Sequence, residues 1–290
     1  MRPFESVALV FNPNSTGNAQ ERAEELAREL SERAPDLPVE LVPTEHAGHG
    51  REIARDAGRA GHPLLVSVSG DGGYNDVVNG LMEGGAESAF AAVLAAGNAN
   101  DHRRVTRERP LADAIVAGDF SRLDLLRMTA DDGREPRYAH SYIGLGITPT
   151  VALELEQGGK GSIREVISTI RSFSRFRPFQ IETDNGTETF DSVIFANISE
   201  MAKFAVLSDD GRPDDGRFEL IILRHTAKWR VLATALRAAV RGLGPQPTAR
   251  EYRFRTIDPM PVQIDGEVAE LEQGVGVTVE IAPGALQEVR

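Results

Sequence analysis

One stretch constrains this chain more than any other. Leu64 to Val68 is an almost unbroken apolar run, and Ser69-Gly70-Asp71-Gly72-Gly73-Tyr74-Asn75-Asp76 follows it at once. An apolar run of that length, bounded by glycines, reads as a strand buried on both faces. The glycines around Asp71 form a turn, and a helix is expected to begin near Tyr74. Glycines let backbone N–H groups approach an anion closely, and a helix start adds positive potential. The stretch is suited to phosphate. It is not a Walker loop, which needs Gly-Lys-Ser/Thr, because the lysines of this chain are Lys160, Lys203 and Lys228. Nor is it the dinucleotide fingerprint, because Asn75 stands where that pattern has its third glycine.

The surrounding sequence supplies a sheet for this turn. Val7 to Phe11 reads as a strand, and Ala23, Leu26, Ala27, Leu30 and Ala34 then fall on one helical face. A strand over Val39 to Val42, a helix over Gly50 to Ala60, the strand Leu64 to Val68, a strand over Ala91 to Ala95 and a helix over Ala112 to Ala117 continue the alternation. That pitch predicts a doubly wound α/β domain with a parallel sheet. Ligands of such sheets bind at the carboxyl ends of the strands. The loops after Phe11, Val68 and Ala95 all fall at that edge.

From Leu123 the pattern changes to strands rich in β-branched and aromatic residues: Leu123 to Met128, Tyr138 to Leu145, Phe179 to Thr183, Ser192 to Ile198 and Phe218 to Leu223. Asp131-Asp132-Gly133 and Asp184-Asn185-Gly186 supply turns. Helices are expected over Thr150 to Glu156, Ile163 to Phe173 and Trp229 to Val240. Strands close the chain at Tyr252 to Ile257, Val262 to Ile264 and Val275 to Ile281. The expectation is a nucleotide-binding α/β domain over 1–122, which residues 276–290 can rejoin, and a mainly antiparallel β-rich substrate domain over 123–275.

Composition removes several function classes. The 290 residues carry a formal charge of −12, which argues against a general nucleic-acid binder. Zero cysteines exclude thiolate catalysis and cysteine-ligated zinc. The six histidines lack His-x-x-x-His spacing, and no histidine metal site is expected. No Gly-x-Ser-x-Gly elbow of a serine hydrolase occurs. No apolar run reaches transmembrane length and no signal peptide is expected, so the chain is expected in the cytoplasm. Three lysines among 32 basic residues suit a high-salt cytoplasm, and a GC-rich genome accounts for the arginine bias equally well.

Residue chemistry sharpens the reading. Asn12, Ser15 and Thr16 offer hydrogen-bond donors just past a strand end, and Gly70, Gly72 and Gly73 offer backbone N–H groups. A carboxylate among phosphates needs a counter-charge. Asp71 therefore faces a Mg²⁺ ion directly or through water, or a nucleotide hydroxyl, or else it caps the next helix. Asp76 orients this loop or is a first-turn acid favoured by the helix dipole. Asp265 and Glu267, two apart around Gly266, would share a face of an extended segment. One would take a proton from an attacking hydroxyl while the other binds Mg²⁺ or orients the first. Residues 158–178 hold Lys160, Arg164, Arg171, Arg175 and Arg177 against the single acid Glu165. There Ile163, Val166, Ile167, Ile170 and Phe173 share one helical face. This is either a membrane-facing basic helix or a helix packed on the second domain with a solvated basic side.

Five stretches, in order, resemble the diacylglycerol kinase-like lipid kinases. They are Asn12-Pro13-Asn14-Ser15-Thr16-Gly17, Thr44, Ser69-Gly70-Asp71-Gly72, Ala96-Gly97-Asn98-Ala99-Asn100-Asp101 and Ile264-Asp265-Gly266-Glu267. The opening Ser69 looks more like the sphingosine kinase version. Gly73 stands where the family has threonine, Asp76 where it has glutamate, Asn98 where it has threonine, and His102-Arg103-Arg104 where it has Phe-Ala-Arg. The resemblance implies a peripheral membrane enzyme that moves the ATP γ-phosphate, with Mg²⁺, to a diacylglycerol-like or sphingoid-like hydroxyl. It implies a nucleotide site of Asn12, Pro13, Asn14, Ser15, Thr16, Thr44, Gly70, Asp71, Gly72, Gly73, Asn75, Asp76, Gly97 and Asn98. Its catalytic centre would be Asp71, Asp265 and Glu267, with Glu267 the favoured base. Asp215, in the loop Asp209 to Gly216, aligns with a structural Mg²⁺ ligand, the alternative being a solvated acidic turn. Arg164, Arg171 and Arg175 would face the lipid. A soluble kinase of the same superfamily, such as an NAD kinase, and a non-catalytic binding module are the alternatives, and a homodimer is left open.

Overall fold

The alternating first third forms a parallel sheet in the computed structural model of the chain, which describes residues 2–15, 17–60, 63–85, 89–96, 101–106, 109–146, 178–201, 205–206, 211–226 and 243–290. The elements of this part are β1 (Ser6–Phe11), α1 (Ala19–Arg33), β2 (Val39–Pro43), α2 (His49–Ala60), β3 (Pro63–Ser69), α3 (Asp71–Gly84), β4 (Phe90–Ala95), α4 (Asp101–Thr106), α5 (Leu111–Ala117) and β5 (Ser121–Ala130). The mainly antiparallel part holds β6 (Arg137–Ala139), β7 (Tyr142–Gly146), β8 (Phe179–Thr183), β9 (Gly186–Ala196), β10 (Glu200–Met201), β11 (Ala205–Val206), β12 (Phe218–Arg224), β13 (Thr248–Ala249), β14 (Glu251–Thr256), β15 (Met260–Ile264), β16 (Glu267–Leu271) and β17 (Gly276–Glu288).

The chain divides into two units, Met1–Leu125 with Pro283–Arg290, and Leu126–Ala282. In the first, the strands lie in the order β17-β4-β3-β1-β2. The pairs β1 with β2, β1 with β3, β3 with β4 and β4 with the end of β17 are all parallel. The chain passes from β1 to one neighbour, β2, and then back across to the other, β3. This is a topological switch point, and the crevice at the carboxyl ends of β1 and β3 is where such sheets bind ligands. Leu9, Leu64, Val66, Leu30, Ala23 and Ile115 are among the buried residues that fix the helices to this sheet.

The second unit is antiparallel, with the order β16-β15-β7-β9-β8-β14-β17. Its core gathers Ile143, Phe190, Phe195, Phe218, Val262 and Val279, all but sealed from water. Alternation along β17 buries Val277 and Val279 on one face, as half-buried strands require.

Two expectations are corrected. The run Tyr138 to Leu145 is not one strand: it breaks at His140-Ser141, between β6 and β7. The cause is a side chain from elsewhere. The backbone N–H groups of His140, Ser141 and Tyr142 turn to the Asp265 carboxylate instead of a neighbouring strand. The helix expected near Tyr74 begins at Asp71. Glycine disfavours helix interiors, but Gly72 and Gly73 sit in the first turn, where that cost is small. The helices expected within 150–173 and 229–240 lie outside the described residues.

Candidate functional site

The carboxyl edge of the parallel sheet is built by its register. Phe11 pairs with Pro43 and Val68, and Ser69 pairs with Ala95, so these strands end level. Two further backbone bonds extend the ladder past the ends, Thr44 N–H to Phe11 O and Ala96 N–H to Ser69 O, both 2.8 Å. The loops after β1, β2, β3 and β4 therefore leave from one line. Gly17 folds the first of them over the end of β4, so closely that a Cβ there would collide with the Ala96 carbonyl oxygen.

Within the first loop, Asn12 Oδ1 accepts the Asn14 N–H at 2.9 Å and Asn12 O accepts the Ser15 N–H at 3.1 Å. This Asx-type turn leaves the Asn12 NH₂ to donate elsewhere. Ser15 Oγ is buried and has no hydrogen-bond partner among the described residues. Buried hydroxyls are normally satisfied, and this one has a hydrogen-bonding capacity that the described residues do not fill. Pro13 and Asn14 are exposed at the turn. Thr16, Gly97 and Asn98 lie outside the described residues.

The turn after β3 presents the start of α3. Gly70 is its N-cap and provides no side-chain cap. The first N–H groups of any helix lack intrahelical acceptors, and here they carry the positive end of the dipole. The space around the missing Cβ of Gly72 is open, with nothing within 4 Å. Around Gly73 it is closed: a Cβ would lie 2.7 Å from both Ser69 Cβ and Ser69 Oγ. The Ser69 side chain thus occupies the room that a side chain at residue 73 would need, which accounts for glycine there.

Asp71 is the first residue of α3 and caps a different helix. Its Oδ2 accepts the Asp101 N–H at 3.1 Å and its Oδ1 accepts the His102 N–H at 3.2 Å, at the start of α4. A carboxylate has about four acceptor positions. The half-buried setting of Asp71 at the start of a helix is one in which a carboxylate can also face a cation that binds phosphate. Asn75 is buried, and its Oδ1 accepts Asn79 Nδ2 at 3.0 Å. Asp76 and Thr44 flank Gly50: a Cβ there would lie 3.9 Å from Asp76 Cβ and 4.0 Å from Thr44 Cγ2. The structure therefore brings Thr44, on the β2 side, to the second turn of α3.

Below the Asp71 contact lies a group that sequence reasoning missed. Glu288 Oε1 accepts the Tyr74 hydroxyl at 2.7 Å and lies 2.8 Å from His102 Nε2, with all three residues sealed from water. Burial acts to raise the Glu288 pKa. It is outweighed by the charge of His102, the hydrogen bonds from His102 and Tyr74, and the charge of Arg290, so the carboxyl is held below its ordinary range. A polar residue near the end of a terminal strand gave no signal of this in the sequence.

In the second unit the extended geometry expected for Asp265 and Glu267 is corrected. Ile264 pairs with Glu267, and Asp265 and Gly266 form the two-residue turn between them, with φ of 46° and 94°. Positive φ at both central residues is the hairpin turn that Asp-Gly favours. The two carboxylates consequently have different surroundings. Asp265 is fully buried and accepts the His140 N–H at 2.7 Å, the Ser141 N–H at 3.0 Å and the Tyr142 N–H at 2.9 Å. Asn197, also sealed, donates Nδ2–H to His140 O at 3.1 Å and extends this polar knot. The Glu267 side chain keeps 39% of its surface and pairs with Arg137 at 2.9 Å. A carboxylate that still reaches solvent can exchange protons with a substrate; a sealed one holds backbone in place.

The remaining sites are scattered. Asp215 is exposed, and its Oδ1 accepts the Arg217 N–H at 2.9 Å, leaving its other oxygen for a cation. Buried Glu219, which the sequence did not single out, approaches Gly211 at the start of that loop. Asp209 and Asp210 lie outside the described residues, as do Lys160, Arg164, Arg171 and Arg175. Among the described residues, His46, His49 and Glu52 bring donor atoms within 4.8 Å of one another. His49 Nδ1 accepts the Glu45 N–H at 3.0 Å, which leaves the ring proton on Nε2 and removes that nitrogen as a metal ligand. No described helix is long and apolar enough to cross a membrane.

The model of the diacylglycerol kinase catalytic domain matches residues 6–128. A diacylglycerol kinase of Staphylococcus saprophyticus is 23% identical over 286 residues, covering 89% of this chain and 88% of its own. Sphingosine kinase 1 of Rattus norvegicus is 30% identical over 200 residues, covering 62% of this chain and 51% of its own length. A solved diacylglycerol kinase structure from Bacillus anthracis aligns with a TM-score of 0.72 at 16% identity, over 99% of this chain and 97% of that one, and shows the same fold.

Proposed function

We propose that this chain is a lipid kinase of the diacylglycerol kinase type, transferring the ATP γ-phosphate to the hydroxyl of a diacylglycerol-like or sphingoid-like lipid; the diacylglycerol kinase catalytic-domain match over residues 6–128 and the kinases it resembles support this reading. The observation that carries this is the carboxyl edge at the β1–β3 switch point. A Ser15 hydroxyl with no partner among the described residues, the open start of α3 and the Asp71 carboxylate meet the needs of a nucleotide phosphate there.

In phosphoryl transfer a protein mainly positions groups and offsets charge. The N–H groups at Gly72 and Gly73 would donate to phosphate oxygens, and Asn12 and Ser15 would hold the nucleotide from the β1 loop. Thr44 and Asp76 would border it from the β2 side. Asp71 is the residue suited to hold Mg²⁺, which supplies charge neutralisation when bound. Glu267 would take the proton of the lipid hydroxyl on a carboxylate oxygen, with Arg137 orienting it. Asp265 would fix the turn that presents Glu267. A positioned base of this kind contributes about 10²–10⁴ in rate. Asp215 is the proposed ligand of a structural Mg²⁺. The basic segment with Arg164, Arg171 and Arg175 is the proposed membrane contact.

The test is ATP turnover by the purified protein with Mg²⁺, against vesicle-borne lipids and free NAD, in low and in molar salt. Phosphorylation of one lipid, abolished by Glu267→Gln, supports the reading and identifies the acceptor. Turnover on NAD, or nucleotide binding with no turnover on any acceptor, overturns it.

A further inference from the structure

We propose that Glu288, acting through His102, is a positioning residue for Asp71. The inference rests on the reading of Asp71 as part of a kinase phosphate site, and it assigns a role to the strand that ends the chain.

Contacts one helical turn apart along α3 join it to α4. At the first, Asp71 accepts the Asp101 and His102 N–H groups at 3.1 and 3.2 Å. At the second, a single oxygen, Glu288 Oε1, holds the Tyr74 hydroxyl at 2.7 Å and His102 Nε2 at 2.8 Å. Asp71 and Tyr74 are three residues apart and so share a face of α3. His102 takes part in both contacts, with its backbone N–H on Asp71 and its ring on Glu288. The Tyr74 and His102 rings also pack together, with centroids 5.2 Å apart.

The two contacts differ in strength. The Asp71 bonds lie at the long end of the normal range, whereas those to Glu288 are short and sealed from water. The buried, charge-assisted contact is the stiffer one. It fixes where His102 sits, and so where the N–H groups meet Asp71. Glu288 is itself held by the sheet: it pairs with Ala91 of β4, and the next residue, Val289, donates its N–H to Ala91 O at 2.8 Å. The last strand thus sets the orientation of a carboxylate more than two hundred residues earlier in the chain.

Three variants test this. Glu288→Leu removes the acceptor, Glu288→Gln keeps an oxygen at the same reach, and His102→Gln keeps an N–H donor near the position of Nε2. Each is followed by hydrogen exchange at the Asp101 and His102 amides and by steady-state kinetics. In Glu288→Leu, exchange at these two amides rises about tenfold while β1 and β2 stay protected. Its kcat falls on the order of tenfold with lipid KM unchanged. Glu288→Gln and His102→Gln restore most of both. If Glu288→Leu does not fold, Tyr74→Phe, which removes one of the two bonds to the same oxygen, raises exchange to a smaller degree. Wild-type exchange at Asp101 and His102 in a folded variant lacking the Glu288 contact overturns the proposal, as does a loss confined to lipid KM. A wild-type protein with no kinase turnover would sink the functional reading alone, because the exchange arm still reports whether Glu288 orders the Asp71 contact.

Discussion

The Asp265 carboxylate accepts the His140 backbone N–H at 2.7 Å, with both residues sealed from water. The same carboxylate takes two more N–H groups, so it ends one strand, starts the next and secures the turn that carries Glu267. Two residues that look equivalent in Asp-Gly-Glu therefore have different surroundings.

Asp265→Asn is expected to destabilise the fold by about 2–4 kcal/mol, because an amide NH₂ would face N–H donors and leave them buried without an acceptor. Glu267→Gln disturbs only a part-buried ion pair with Arg137, worth about 1 kcal/mol. It is expected to melt like the wild type while losing turnover. Urea midpoints beside kinase rates measure the split, and equal destabilisation by the two changes would refute it.

The strands and helices of the first third were legible in the sequence because apolar periodicity there is set by burial. The face of α1 that carries Ala23, Leu26 and Leu30 is buried, as their spacing implied. The edges of elements were less legible where a distant side chain decided them. Nothing near Tyr138 announces that Asp265 will interrupt the strand. Nothing around Asp71 announces that its carboxylate will cap α4 rather than a nearer helix. The loops at the sheet edge were readable from glycine and asparagine turn chemistry, which is local. The Tyr74–His102–Glu288 group was not, because its parts come from three elements and each alone is an ordinary residue in an apolar setting.

Ser69 and Gly73 compete for one space. A Cβ on residue 73 would come within 2.7 Å of Ser69 Oγ, and that hydroxyl is itself held 2.7 Å from Ser67 Oγ. Gly73→Thr alone is expected to cost about 1–3 kcal/mol through overpacking. Ser69→Gly opens the space, so the double variant should recover much of that loss. A double-mutant cycle on thermal stability should give a coupling of about 0.5–3 kcal/mol. Additive effects would mean that the two side chains do not share the site.

Gly80 brings α3 into backbone contact with α2. A Cβ there would overlap the Arg51 carbonyl oxygen and lie 2.7 Å from Ala54 Cβ. Alanine improves helix propensity by about 1 kcal/mol, and an exposed site would show that gain. Here the overpacking cost of about 1–3 kcal/mol should win. Gly80→Ala is expected to lower the denaturant midpoint and, by pushing α2 away from α3, to separate Gly50 from Asp76 and weaken nucleotide binding. A variant more stable than the wild type would show that the helices are not in contact at this residue.

Glu288 makes the stability of the protein depend on acid in a defined direction. Burial would raise its carboxyl, but the charge of His102, the hydrogen bonds from His102 and Tyr74 and the charge of Arg290 together hold it below its ordinary value of about 4.5. A group whose folded pKa is depressed contributes stability that is present above its unfolded pKa and lost as pH falls through the folded value. The contribution is therefore complete near neutral pH, begins to fail as pH drops past about 4.5, and is gone once the folded carboxyl is protonated. Glu288→Gln cannot titrate. Its stability should lie below that of the wild type near neutral pH, and the gap should narrow as the solution is acidified. Urea midpoints of both proteins across that range measure the gap. A gap that stays constant, or widens in acid, would mean that Glu288 is not ionised in the folded protein.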